Sequence, residues 1–323
     1  MRNNALDAAK LLACFFIIVV HSGGYQEYQQ PFGELFRVSS RWALPFFFLA
    51  SGYMMGLAEK DDLGRKINKL VSILFWASVL YIPIICRMSG GDIWRIVGKI
   101  VSNDTLQVGT FFHLWFINAL ILGVILTNYF LKNVGVKLSL FISYAILVAC
   151  WYGDLIKSLH YDIYIYYALR TLIAFSLVYL GHHFAKHGTL INIPNKISIS
   201  VFCVSIALMV VETYTLGVLY KADMMEKQFP LFVIPACISL LCISVNENLK
   251  ENIFSRLGRD YSLGVYLIHP FIQYLLIHDF GNYIAKNSTI KLLLSFISSI
   301  AILMITKKAL PIVYAKLNGV GVK

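Results

Sequence analysis

The feature that most constrains this chain is the recurrence, along its whole length, of separate apolar blocks of roughly 17–22 residues. Each is long enough to cross about 30 Å of hydrocarbon as a helix. Ten spans can be drawn, at residues 7–23, 40–58, 69–86, 112–131, 138–153, 164–183, 197–217, 230–246, 261–279 and 290–306. Of 323 residues 58% are hydrophobic and only 14% charged, where a soluble domain carries about a quarter charged residues. The expected fold is therefore all-α, a polytopic integral membrane protein of about ten transmembrane helices forming a single domain over residues 1–323.

The net charge of +11 does not argue for nucleic acid, because the basic residues lie between spans, where they set topology. Placing the N-terminus inside assigns Arg2, Lys60, Arg65, Lys66, Lys69, Lys132, Lys137, Lys186, Lys196, Lys250, Arg256, Arg259, Lys307, Lys308, Lys316 and Lys323 to the cytoplasm. That is the larger share of the 28 basic residues and predicts both termini there. The first span lacks a small-residue cleavage site and more spans follow, so it is not read as a cleaved signal. The six cysteines sit in apolar segments without CxxC spacing, and read as small buried hydrophobes. Between Arg87 and Phe111 the longest outer loop has room for a short interfacial helix around Ile93–Val101.

Ionisable residues interrupt the spans. In the first, Lys10 and His21 are eleven residues apart, about 20° from a whole number of helical turns and roughly 16 Å in rise, so they share a face. Asp7 and Cys14 fall near the same stripe, and Asp7 stands at i,i+3 to Lys10. Charged groups in a membrane helix usually face protein or water and often carry function. The plainer alternatives are a snorkelling lysine and a histidine at the opposite headgroup level. The second span opens on Arg41, four residues before Pro45, with Ser51-Gly52 permitting close helix contact. Arg41 reads either as a headgroup-binding arginine or as a fixed cation sharing an outer vestibule with His21. His113 and Trp115 begin the fourth span, with His113 at the depth expected of His21. Arg170 lies in the aromatic first turns of the sixth, and His269 lies mid-span before Pro270, as a ligand-facing or helix-bonded histidine. Glu212 is an intramembrane acid expected to pair or to face the outer interface. Arg65, Lys66 and Lys69 put three cations on one helical turn, which suits phosphate as well as it suits a topology signal. His183 and His187 have no acidic third ligand and no HExxH, so no metal site is expected.

Four segments, in order, resemble the landmarks of the membrane acyltransferase-3 family. They are Lys10-x10-His21, with lysine where many members carry arginine; Arg41-Trp-Ala-Leu-Pro-Phe-Phe-Phe-Leu-Ala-Ser-Gly-Tyr; His113-Leu-Trp-Phe; and Tyr261-Ser-Leu-Gly-Val-Tyr-Leu-Ile-His269. Size and motif wording are most like members that O-acetylate enterobacterial surface glycans. The resemblance implies a multi-pass enzyme of a bacterial cell (inner) membrane. Such an enzyme moves an acyl group, usually acetyl, from cytoplasmic acetyl-CoA or another acyl-CoA to a hydroxyl of a surface glycan or lipid-linked saccharide.

On this reading His21, Lys10, Arg41 and His113 are the catalytic candidates, with imidazole as a base poised near neutrality. Arg65, Lys66 and Lys69 would bind the donor's phosphates, while Asp7, Ser51, Trp115, Arg170 and His269 support the site. A thioester is already activated, so acyl-CoA enters as co-substrate and no tightly bound cofactor is expected. The partners expected are membrane lipid, acyl-CoA, the saccharide acceptor and, as an open option, a second copy of the chain. The competing reading is a transporter or flippase of an anionic or lipid-linked solute, which would move solute without consuming acyl-CoA. A non-catalytic assembly subunit is disfavoured by the stripe of intramembrane polar groups.

Overall fold

In the computed structural model, which describes residues 3–58, 62–102 and 109–319, the regular elements are all helical. They are α1 (Asn4–His21), α2 (Phe32–Val38), α3 (Ala43–Leu57), α4 (Leu63–Met88) and α5 (Ile93–Ile100), then a 3₁₀ turn at Phe112–Leu114 that runs into α6 (Trp115–Asn133). There follow α7 (Val136–Ser158), α8 (Tyr166–His187), α9 (Asn195–Tyr220), α10 (Val233–Asn246), α11 (Ile253–Asp279), α12 (Asn282–Lys286), α13 (Ser288–Ala309) and α14 (Pro311–Leu317). Local sequence sets several starts. Asn3 accepts from the Leu6 amide at 2.8 Å, Asp62 from the Arg65 amide at 2.9 Å, and Asn252 with Ser255 forms a reciprocal capping box.

The expectation of about ten transmembrane helices is corrected by this structure. Among the described residues six helices are long and apolar enough to cross a membrane: α1, α4, the Phe112–Asn133 stretch, α7, α9 and α13. The other four drawn spans fail for two physical reasons. α3 and α10 are only 15 and 14 residues long, short of the roughly 20 that a span needs. α8 and α11 are long enough but interrupted within the drawn spans, by Arg170, His182 and His183 in one and by His269, Pro270 and Gln273 in the other. The assignment of both termini to the cytoplasm rested on counting ten spans and falls with it. Arg2, Lys60 and Lys323 of that assignment lie outside the described residues.

These four helices occupy the interior of the bundle. α3 packs closely along α8, α1 along α11, and α8 also meets α6 and α7. Small residues make the approach: a Cβ on Gly52 would strike the Val178 carbonyl, and one on Gly181 the Leu49 carbonyl. On the α1–α11 seam a Cβ on Gly258 would strike the Asp7 carbonyl, and the Cys14 thiol donates to the Ser262 carbonyl at 3.0 Å. Burial orders the spans in the same way. α1 is 56% buried and the Phe112–Asn133 stretch 50%, against 22–33% for α4, α7, α9 and α13. The latter turn Phe75, Phe141, Val204 and Ile297 outward, as a lipid-facing ring would. Helices enclosed by that ring need not be apolar all round. Short α5 lies where the interfacial helix was drawn, with Ile93, Trp94 and Val97 exposed.

Candidate functional site: a cavity between imidazoles and arginines

The site begins at the proline inside α11. Pro270 has no N–H, so the helix lacks the bond that this residue would otherwise donate to the Tyr266 carbonyl. The Tyr81 hydroxyl of α4 meets the helix here, donating to the Leu267 carbonyl at 2.8 Å and accepting from the Phe271 amide at 3.2 Å. Nε2 of His113 lies 3.3 Å from that same carbonyl. A carbonyl oxygen only accepts, so this nitrogen carries the proton and Nδ1 keeps its lone pair. By the same logic His269 places Nδ1–H on the Val265 carbonyl at 3.1 Å and leaves Nε2 as the acceptor. Both remaining nitrogens, Nδ1 of His113 and Nε2 of His269, are buried without a hydrogen-bond partner among the described residues. The His21 ring lies 5.4 Å from that of His269, and the His269 ring 5.9 Å from that of His113. The Tyr266 hydroxyl donates to the His113 carbonyl and holds the entry of α6 against α11. Three imidazoles from three helices thus form one cluster.

A cavity of about 410 Å³ adjoins this cluster. His21, His113 and Tyr266 line one side; Arg37, Arg41 and Arg170 enter it from α2, the α2–α3 link and α8. Apolar walls come from Ile17, Phe48, Phe112 and Ile173. Arg37 donates from Nε to the Val20 carbonyl at 2.9 Å and from Nη1 to the Met225 carbonyl at 2.7 Å. Arg41 donates from Nη2 to that same carbonyl at 3.1 Å. Arg170 reaches Gln228 Oε1 at 3.4 Å and lies over the Trp115 ring, 4.3 Å from its centroid. None of the three forms an ion pair among the described residues. Burial lowers Arg37 from its ordinary value, with Glu226, Tyr25, Asp223 and Glu34 pulling the other way; burial and then the neighbouring Arg37 cation lower Arg41. Guanidinium keeps its charge at neutral pH under shifts of this kind.

The segment between α9 and α10 supplies Met225, Gln228 and Phe229, and its position is set by a sealed charge network. Asp154, at the end of α7, accepts from the Gln228 and Phe229 amides at 2.9 Å each and from the Tyr166 hydroxyl at 3.0 Å. Lys227 Nζ lies 3.3 Å from Asp154 and 3.3 Å from Glu212. Glu212 also accepts from Trp151 Nε1 and the Leu231 amide, at 2.9 Å each. The intramembrane acid of the sequence reading is thus paired.

Of the residues singled out from sequence, the fold gathers His21, Arg41, His113, Trp115 and Arg170 on the cavity, with His269 behind them. It does not gather the rest. Lys10 pairs with Asp7 at 3.2 Å, about 16 Å along α1 from His21. Ser51 bonds its own helix at the Phe47 carbonyl, 2.7 Å away. Arg65, Lys66 and Lys69 start α4, on the order of 20 Å along its axis from Tyr81. Gly319 packs on Lys69, and Tyr314 donates to the Asp260 carbonyl near the start of α11. The Lys69 and Lys10 ends therefore share one side of the bundle, opposite the cavity. Sequence reasoning missed Arg37, Tyr166 and Gln228 on the cavity wall, and Asp154 and Lys227 behind it. The signal available for the last two was Glu212, an intramembrane acid needing a cation, with Lys227 next to the following span.

A family profile described as an acyltransferase domain matches residues 3–308. Among curated proteins, an amino-acid racemase of Enterococcus faecalis is 24% identical over 325 residues, covering 92% of this chain and 45% of the relative. A serine/alanine racemase of Enterococcus gallinarum is 25% identical over 147 residues, 42% of this chain and 21% of that protein. The chain spans less than half the length of these curated relatives. No solved structure matches it. Since the family pattern runs through α1, α3, α6, α8 and α11, which together enclose the cavity, the chain belongs to the acyltransferase-domain family, the membrane acyltransferase-3 proteins.

Proposed function

We propose that this chain is a membrane O-acyltransferase that moves an acyl group, most simply acetyl, from cytoplasmic acyl-CoA to a hydroxyl of a cell-surface glycan or lipid-linked saccharide. The observation that carries the reading is the meeting of His21 and His113 with three arginines in one cavity, in a chain of an acyltransferase family. In the proposed step His21 takes the proton from the acceptor hydroxyl as its oxygen bonds to the thioester carbonyl carbon. Arg41 stabilises the oxyanion of the tetrahedral species. Collapse breaks the C–S bond, and the CoA thiolate leaves with the proton returned by His21. Arg65, Lys66 and Lys69, joined by Lys10 at the same end, receive the charged part of the donor. Only the slender pantetheine arm then enters the interior, and no phosphate is buried.

The test compares surface glycans by mass spectrometry from cells with this chain, without it, and with His21→Ala. The expected result is one acyl group present only with the unaltered chain. Full acylation by a well-inserted His21→Ala variant removes His21 from the role of base. A second reading, passage of an amino acid or other anionic solute without acyl transfer, draws on the racemase relatives, whose names specify amino acids. It predicts solute flux into vesicles with no consumption of acyl-CoA.

A further inference from the structure

We propose that the cavity selects an acceptor bearing its own anion, a carboxylate or a phosphate ester, and that Arg37, Arg41 and Arg170 bind it. The word acceptor rests on the acyl-transfer reading above; the anion site stands without it. Three guanidinium groups from three chain segments converge on about 410 Å³, and no lining residue is acidic. Arg37 and Arg41 share one neutral oxygen, the Met225 carbonyl. Nε of Arg41 and Nε of Arg170 are buried with no hydrogen-bond partner among the described residues. Half-buried cations that repel one another with no carboxylate in contact are costly to keep.

No nearby carboxylate forms an ion pair with these arginines among the described residues, although Glu226, Asp223 and Glu34 act on Arg37, and Asp154 and Glu226 on Arg41, from a distance. Asp154 and Glu212 face Lys227 at 3.3 Å each, Glu226 pairs with Lys157 at 2.8 Å, and Asp223 accepts from the Met225 amide at 2.8 Å. Direct contact with an anion inside the cavity is thus left to a ligand. A planar guanidinium matches carboxylate and phosphate with two parallel hydrogen bonds, which fixes orientation as well as charge. With the anion held on the arginine side, a hydroxyl elsewhere on the same molecule faces His21 and His113. The size is right for one small ligand of about a sugar ring. The cations at the start of α4, on the order of 20 Å from Tyr81 along its axis, are a separate set, so donor phosphate and acceptor anion have separate places.

The test uses the full-length purified protein in detergent, without acyl-CoA, titrated calorimetrically with three matched probes: glucose, glucuronate and glucose 6-phosphate. One or both anionic sugars are expected to bind roughly tenfold or more tightly than glucose, and the two anionic arms decide between carboxylate and phosphate. Arg41→Gln and Arg170→Gln, checked for an unchanged elution profile, should each erase most of that preference. Arg170→Lys serves as a control for charge and should retain part of it. The proposal is overturned if the folded protein binds all three sugars alike or binds none, or if both glutamine variants keep the preference. Failure of acyl transfer reads differently: anionic sugars still bind, and acyl-CoA is not consumed.

Discussion

Lys227 and Asp154 meet at 3.3 Å with side-chain exposures of 1% and 0%, so a loop cation and a helix-end carboxylate neutralise each other inside the bundle. The pair does more than balance charge. Asp154 also fixes the Gln228 and Phe229 amides, and the same segment presents the Met225 carbonyl to Arg37 and Arg41. Removing one partner of a buried pair costs about 3–5 kcal/mol, because the other charge is left uncompensated. Lys227→Met is expected to lower the thermal unfolding midpoint in detergent sharply. Lys227→Arg, which keeps the charge, should lose less. Equal midpoints for wild type and Lys227→Met would show that the network does not hold the segment.

Tyr81 tests the junction of α4 with α11 beside Pro270. Its hydroxyl is the group that serves both the Leu267 carbonyl and the Phe271 amide, and the carbonyl also orients His113. Tyr81→Phe removes one oxygen and leaves the Phe271 amide without that partner, at a cost of about 1–3 kcal/mol. The His113 ring would lose a neighbour that competes for its carbonyl while the ring contacts of Phe111 and Phe271 stay in place. The expected signature is a moderate drop in unfolding midpoint with transfer reduced chiefly in kcat. An unchanged kcat would mean that the imidazole cluster is indifferent to the Tyr81 hydroxyl.

Much of the cavity was legible in the sequence because membrane helices make polar residues conspicuous. His21, Arg41, His113, Arg170 and His269 stand out against apolar surroundings, and the family landmarks set four of the five in order. What was not legible follows from the same cause. Arg37, Gln228 and Lys227 lie outside the drawn spans, where a charged or polar residue reads as ordinary loop composition. Lys10 and His21 do share a helical face, but a face is not a common destination. Along it Cys14 is sealed against Ser262 of α11, whereas Ile17, Val20 and His21 reach the cavity. The span count went astray at α3, α8, α10 and α11, since apolar block length cannot separate a lipid-facing helix from one enclosed by other helices.

The α3–α8 seam should tolerate no added volume. Gly52 faces the Val178 carbonyl and Gly181 the Leu49 carbonyl, so the obstacle on each side is backbone and cannot rotate away. Gly52→Ala should force the two helices apart, at a cost of about 1–3 kcal/mol for overpacking. α3 follows directly on Arg41, and α8 carries Arg170. A shift between them therefore changes the spacing of two cavity cations. Both a lower folded yield and a lower affinity for the acceptor are expected. Gly135→Ala is the matched control, because nothing lies within 4 Å of its added Cβ.

The two sets of cations should separate in kinetics. Arg65 and Lys69 are exposed at one end of α4 with Lys66 half-buried beside them, whereas Arg41 and Arg170 line the cavity at the other side. Exposed charges act through a screened field that fades over about 8 Å at physiological ionic strength. The triple change to Gln at Arg65, Lys66 and Lys69 is therefore expected to raise KM for acyl-CoA and to flatten its salt dependence, leaving KM for the acceptor near its starting value. Arg170→Gln should do the reverse, raising KM for the acceptor with less effect of salt, because a guanidinium half-buried in a cavity is screened less than an exposed cation. Steady-state rates measured against each substrate at two salt concentrations resolve the four outcomes. If the triple variant leaves KM for acyl-CoA and its salt slope unchanged, the cations at the start of α4 serve topology alone. If Arg170→Gln moves only KM for acyl-CoA, the cavity arginines belong to the donor.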